Sequence, residues 1–169
     1  MGLKQRRRKN QKGNQKGERE MNEYIFVIPI ILISSIVSFF VRDYETQKIE
    51  FVNSEKTISI DVQIADNIFK KSLGLMYRET IGDEEGMLFI FEKEKKPRFW
   101  MKNMKFPIDI IFVSKDFEIV EIIENAQPCN SWFCFGFKPE RPAKYVIETK
   151  AGFCKKHGIK IGDKCLCDF

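Results

Sequence analysis

Residues 107–124, PIDIIFVSKDFEIVEIIE, read as two strands around a polar tip, and that reading decides the fold. The first run is apolar on both of its faces apart from Asp109, as a strand covered on two sides must be. Ser114, Lys115 and Asp116 form the tip, so strands at 107–114 and 117–124 make a hairpin. On the N-terminal side, TISIDVQIA at 57–65 alternates Ile58, Ile60, Val62 and Ile64 with polar residues, which predicts a strand packed on one face. MLFIF at 87–91 is wholly apolar and suits a central strand, and a further strand is expected at about 97–102. On the C-terminal side, KYVIET at 144–149 and the end of IKIGDKCLCDF at 159–169 supply two more. Two short helices complete the set. Asp66 caps the first, DNIFKKSLGL, which Gly74 interrupts; Gly158 ends the second, at 151–157. The fold class is therefore mainly β: one compact two-sheet sandwich or barrel-like domain with two short helices over residues 56–169, with no repeat and no second core.

Upstream of this domain the composition changes. Residues 24–41, YIFVIPIILISSIVSFFV, run for eighteen positions without a charge, against a threshold of about 18 for a membrane span. They predict one transmembrane helix. Residues 1–23 lack apolar periodicity and carry eight Lys and Arg against three Glu, which predicts a disordered basic tail kept in the cytoplasm by the positive-inside rule. Residues 42–55 read as a charged stalk. No small-residue cleavage pattern follows the span, so a retained signal anchor is expected. The implied localisation is the cell membrane, single-pass, with the N-terminus cytoplasmic, the domain extracytoplasmic and membrane lipid as the anchor's partner. The net charge of +5 resides in the tail, because from Arg42 onward 21 basic and 21 acidic residues cancel. No nucleic acid is expected as a partner.

Five cysteines fall in the last 41 residues. An odd number leaves at least one thiol outside intrachain bridges. Cys129 and Cys134 lie in an aperiodic, proline-containing and aromatic segment, and a disulfide between them would order it. Cys165 and Cys167 face the same side of the last strand, where either could meet Cys154. Neither close pair has the two-residue gap that suits zinc, and no metal and no cofactor are expected. The lone histidine, His157, beside Gly158, reads as a cation at a helix C-terminus.

The densest polar and aromatic constellation is PRFWMKNMKFPIDI at 97–110. Strand periodicity puts Arg98, Trp100 and Lys102 on one side, an aromatic plate between two cations, opposite Phe99, Met101 and Asn103. Such a face binds an anion or a sugar. Asp109, alone in an apolar run, is either edge-exposed or buried with a partner: Arg98, Lys102 or backbone amides in the preceding turn. Glu148 is the acid with which it could pair in a cleft. The ligand-binding candidates are thus Arg98, Trp100, Lys102, Asn103, Asp109 and Glu148.

Five blocks in order, SLGLMYRE at 72–79, EEGMLFIF at 84–91, FWMKN at 99–103, Pro128-Cys129, and the Glu148 and Gly152 block, resemble the DUF192 family of small prokaryotic proteins of unassigned function. The resemblance covers about residues 57–169. It implies a compact, mainly β domain, commonly behind a signal peptide or anchor, and it implies no activity. The recurring family positions correspond to Gly74, Leu75, Met76, Arg78, Gly86, Met87, Phe99, Trp100, Met101, Lys102, Asn103, Pro107, Asp109, Pro128, Cys129, Glu148 and Gly152. This chain departs from the pattern at Met104, where a small hydroxyl residue is usual, and in the bulky SWFCFGFKPER insert.

Three functions compete on this reading. The first is a membrane-anchored extracytoplasmic binding or accessory domain for an unknown ligand, an anionic or sugar-like envelope component. The second is an envelope polysaccharide hydrolase, which needs two carboxylates facing one cleft, Glu148 with Asp109 or Glu84 with Asp109. The third is a structural or partner-docking domain, favoured if Trp132, Phe133, Phe135 and Phe137 form one apolar patch.

Overall fold

A computed structural model describes residues 44–167. Seven strands, β1 (Thr46–Val52), β2 (Thr57–Ala65), β3 (Glu85–Lys95), β4 (Ile108–Val113), β5 (Ile119–Ala126), β6 (Ala143–Lys150) and β7 (Lys164–Cys167), lie in one sheet. Helix α1 (Ile68–Leu73) joins β2 to β3, and α2 (Phe153–His157) follows β6. The spatial order is β5-β4-β6-β3-β2-β1-β7. Only β2 and β3 pair parallel, as their helical crossover requires; every other pairing is antiparallel. The sheet curls until its outer strands meet: Glu118 bridges Lys164, the Ile119 N–H donates to Asp163 O at 2.9 Å, and the Cys165 N–H donates to Phe117 O at 2.9 Å. The strands thus form a half-barrel, the barrel-like arm of the expected fold.

Two apolar clusters follow from strand periodicity. Inside the curl, Ile49, Phe51, Ile60, Val62, Leu88, Ile111, Val113 and Ile147 pack with Phe153 and Cys154 of α2. On the other face, Met87, Phe89, Ile108, Ile110, Phe112 and Val146 are covered by Leu75, Phe99, Met101, Met104 and Phe106. Central strands β3, β4 and β6 are therefore buried on both sides, which is why their sequences lose polar alternation.

Several expectations change. Residues 46–52, within the segment read as a stalk, form β1, with Ile49 and Phe51 turned inward and Lys48 and Glu50 outward. The expected strand at 97–102 is instead an irregular run making only the isolated bridges Phe99↔Phe137 and Lys102↔Cys129. Pro97 has no N–H to give a ladder, and Asn103 at φ 59° turns the chain away. Helix α1 is capped by Asn67, whose side chain accepts from the Lys70 N–H at 2.9 Å, one residue beyond the expected Asp66. Gly74 closes it at φ 51°.

The transmembrane helix is corrected too. No helix among the described residues is long and apolar enough to cross a membrane. The longer of the two, α1, has six residues, about 9 Å of rise against the roughly 30 Å of a bilayer's hydrocarbon core. The run at 24–41, and the tail at 1–23, lie outside the described residues. The described residues hold no transmembrane helix, and the expected anchor, lipid partnership, cell-membrane localisation and extracytoplasmic placement find no support in them.

Candidate functional site

On the outer face of the sheet, β6 presents Glu148 between strands that otherwise offer Met87, Phe89 and Ile110. Register fixes this: Glu148 stands opposite Met87 of β3 and Ile110 of β4. Its side chain is 5% exposed, and Oε2 has no hydrogen-bond partner. Burial raises its pKa to about 8, with the positive charge of Arg78 opposing. Arg78 acts on it through charge and makes no hydrogen bond to Oε2; the Arg78 Nη2 donates to Gln63 Oε1 at 2.7 Å.

Above Glu148 opens a cleft of about 560 Å³, within the size range of small-molecule sites. Its walls are Phe89, Phe91, Phe99, Met76, Met104 and Trp100, and Lys71, Lys95, Lys96 and Arg98 also line it. The three phenylalanines hold each other edge to face, Phe89 to Phe99 at 4.9 Å and Phe91 to Phe99 at 6.5 Å between centroids. Lys95 Nζ stands 4.1 Å above the Phe91 ring and Lys71 Nζ 5.3 Å from it. Burial, and then repulsion from Lys95, lower the Lys71 pKa. Gly74 matters here for space as well as conformation: a Cβ there would stand 3.7 Å from Glu148 Oε2 and 3.4 Å from the Phe89 ring. A side chain at 74 would crowd the approach to the one unsatisfied oxygen on the floor.

The structure divides the six candidate residues. Arg98, Trp100 and Glu148 line the cleft. Lys102 sits beside it, with Nζ 5.9 Å from the Trp100 ring. Asn103 is a brace: its Nδ2 donates to the Tyr77 hydroxyl at 2.8 Å, while the Tyr77 N–H donates to Asn103 O at 3.0 Å, tying the α1–β3 loop to the cleft wall. Asp109 belongs elsewhere. It is fully buried on the inner face, where Oδ1 accepts from the Asn125 and Gly152 N–H groups at 2.8 and 3.1 Å and Oδ2 from the Cys154 N–H at 3.0 Å. Its partners are backbone amides, but from β5 and the start of α2 rather than from the preceding turn.

That placement overturns the polysaccharide hydrolase. Asp109 pairs with Thr149 across the ladder and Glu148 with Ile110, so the two carboxyls project from opposite faces of the sheet and share no cleft. Glu84 offers no substitute, because Asp109 is enclosed on the inner face with its oxygens turned to backbone amides. The aromatic insert is also divided. Trp132, Phe133 and Phe135 are 88%, 76% and 89% exposed, whereas Phe137 turns inward against the outer cluster, so the four form no single patch. Among the described residues no group of three His, Cys, Asp or Glu converges as a metal site. Burial, then Lys156 and Lys56, lower the His157 pKa, which works against the charged form at the helix end.

Cys129 and Cys134 are joined by a disulfide across the insert, with Cα atoms 5.9 Å apart, while Cys154 and Cys165 are buried thiols. Removing so small a ring costs about 2 kcal/mol in the chain-entropy account. Replacing both cysteines by serine is therefore expected to lower the urea midpoint modestly while sharply increasing hydrogen exchange in residues 130–137. Unchanged exchange there would mean that the prolines and aromatics alone order the loop.

Lys71, Lys95, Lys96, Phe89 and Phe91 were not among the site residues read from sequence. They come from α1, from the middle and C-terminal end of β3 and, for Lys96, from the residue just past it, and nothing local marks them as neighbours of Glu148. Met76 and Gly74 stood in the SLGLMYRE block, which was the available signal.

With this architecture, a half-barrel carrying a basic-rimmed cleft on its outer face, the chain belongs to the DUF192 family, "Uncharacterized ACR", whose model matches residues 50–166. A UPF0127 protein of Pyrococcus furiosus is 30% identical over 115 residues, covering 67% of this chain and 91% of the relative. Two crystal structures share the fold. One, from Sinorhizobium meliloti and provisionally named a transcription regulator, is 31% identical with a TM-score of 0.69, covering 74% of this chain and 95% of that one. The other, a protein of unknown function from Novosphingobium aromaticivorans, is 30% identical with a TM-score of 0.70, covering 75% of this chain and 88% of that one.

Proposed function

We propose that this domain is a non-catalytic receptor whose cleft takes an aromatic or aliphatic group, meets a polar atom on it with Glu148, and holds negative charge at the mouth. The observation that carries the reading is the unpartnered Oε2 of Glu148 at the foot of an open apolar cleft. A buried polar oxygen without a partner costs free energy that a ligand hydrogen bond recovers. Near neutral pH a carboxyl with a pKa of about 8 is mainly protonated, so it offers one donor and one acceptor. Lys71, Lys95, Lys96 and Arg98 then dominate the cleft electrostatically and favour an anion. Among the described residues the cleft is lined by one carboxyl, and the Ser72 hydroxyl on its wall is turned to the Ile68 carbonyl at 2.7 Å, which supports binding rather than bond cleavage.

The ligand chemistry this describes is an apolar body with a neutral polar atom at one end and an anionic group at the other. 4-Hydroxyphenylacetate has that form. In ¹H-¹⁵N and side-chain NMR titrations it is expected to shift Gly74, Phe89, Phe99 and Glu148, and to bind at least tenfold more tightly than tyramine, which carries the opposite charge on the same ring. Shifts confined to other surfaces, or equal affinity for tyramine, would defeat the assignment.

A further inference from the structure

The surroundings of the cleft carry more apolar surface than a free small molecule needs. Nine large hydrophobics stand exposed among the described residues, and six of them, Ile68, Phe69, Trp100, Trp132, Phe133 and Phe135, lie on the elements that border the cleft. Ile68 and Trp100 line it directly, and Phe69 follows Ile68 on α1. The other three stand on the disulfide-closed insert, which is pressed onto the cleft's edge. The Phe99 and Phe137 backbones exchange N–H to O bonds at 2.9 and 2.6 Å, and Arg98 Nη1 donates to Gly136 O at 3.4 Å. Gly136 is required at that contact, because a Cβ there would stand 2.5 Å from Arg98 Cγ. The insert therefore extends the cleft's apolar rim outward as a crest, held on one side by the Cys129–Cys134 bridge.

Resting on the cleft reading above, we infer that the occupant is presented by a protein partner: an acidic polypeptide segment that inserts one aromatic side chain over Glu148 and lies across the Trp100 and Trp132–Phe135 crest. Charge complementarity selects an acidic segment. Lys71, Lys95, Lys96 and Arg98 line the cleft, and the acids at its far end, Asp66 and Glu92, share a side pocket with Lys71, Lys93 and Lys95, so cations outnumber them. An aromatic anchor fits the edge-to-face phenylalanines, and a tyrosine hydroxyl supplies what Glu148 lacks. Flanking residues on a chain would cover Phe69, Trp132 and Phe135, which a small acid leaves wet. An anionic bilayer would also meet cations and aromatics, but it has no group to send down to a recessed carboxyl, and this favours the polypeptide.

The test uses the full chain and three peptides: a tyrosine flanked by three Asp or Glu on each side, the same peptide with alanine at its centre, and the tyrosine peptide with lysine flanks. Phosphatidylglycerol vesicles form a fourth arm. The acidic tyrosine peptide is expected to bind at least tenfold more tightly than either other peptide, to be displaced by 4-hydroxyphenylacetate, and to lose at least tenfold in the Lys95→Glu/Lys96→Glu variant, which leaves the basic N-terminal residues intact. Trp132→Ser/Phe135→Ser is expected to weaken the peptide several-fold while leaving 4-hydroxyphenylacetate unaffected. Equal binding of the alanine-centred peptide would overturn the inference, as would vesicle binding that the crest variant abolishes with no peptide binding. If 4-hydroxyphenylacetate binds over Glu148 and no acidic peptide does, the partner inference fails and the receptor reading stands; if neither binds, both fail.

Discussion

Replacing Asp109 by alanine is expected to cost the domain roughly 3–5 kcal/mol, since each of several buried N–H groups left without an acceptor is worth about 1–3 kcal/mol and the losses overlap. Three depend on this one carboxyl: Asn125 at 2.8 Å, Gly152 at 3.1 Å and Cys154 at 3.0 Å. Together they fix the end of β5 and the entry to α2, so the cost is structural and falls on the inner core. The whole domain has only about 5–15 kcal/mol to lose. Asparagine retains Oδ1 for Asn125 and Gly152 but turns an amide toward the Cys154 N–H, and about half the loss is expected. Urea unfolding followed by circular dichroism reads both variants. A loss below 1 kcal/mol for alanine would show that Asp109 does not hold these segments.

The second large effect is expected at Glu148, and its sign is the reverse of the usual carboxylate. The folded pKa is raised to about 8 from the ordinary 4.5. Between those values the native state binds a proton that the unfolded chain has released, so stability falls as pH rises. The contribution is fully present below pH about 4.5, declines through neutrality and is gone above pH about 8, for an order-of-magnitude total of roughly 4–5 kcal/mol. Glu148→Gln keeps the neutral shape and cannot ionise. Relative to the native protein it is expected to gain several kcal/mol at pH 9 and almost nothing at pH 5, when urea midpoints are compared across that range. Parallel pH curves for the two proteins would contradict a proton held at this position.

Local periodicity made most of the fold legible. β2 announces itself by strict alternation, and β3, β4 and β6 by apolar runs that only two-sided burial explains. β1 was hidden because Thr46–Val52 carries just two inward hydrophobics, Ile49 and Phe51, among Lys48, Glu50 and other polar residues, beside a charged segment. The pairing of β2 with β3 in parallel and the meeting of β5 with β7 are long-range facts that no local pattern encodes. At the site, alternation put Phe99 and Met101 on the side opposite Trp100 without saying which side is buried; Phe99 and Met101 are buried and Trp100 is exposed, although the segment forms no strand. Asp109 was legible as a residue needing a partner, but two of its donors lie 43 and 45 positions away, at Gly152 and Cys154. Glu148 and Asp109 read as two carboxylates that could face one cleft, and their separation in sequence says nothing about their separation in space. A register that sets Asp109 against Thr149 sends them to opposite faces.

Because the receptor reading stands on a protonated, unpartnered carboxyl facing an open cleft, the most direct measurement is the titration of Glu148 itself, followed through its ¹³Cδ resonance in the native protein with and without saturating 4-hydroxyphenylacetate. The expected result is a midpoint near pH 8 in the free protein, with a distinct midpoint when the cleft is filled. A midpoint close to that of an ordinary glutamate, unmoved by the ligand, would contradict it.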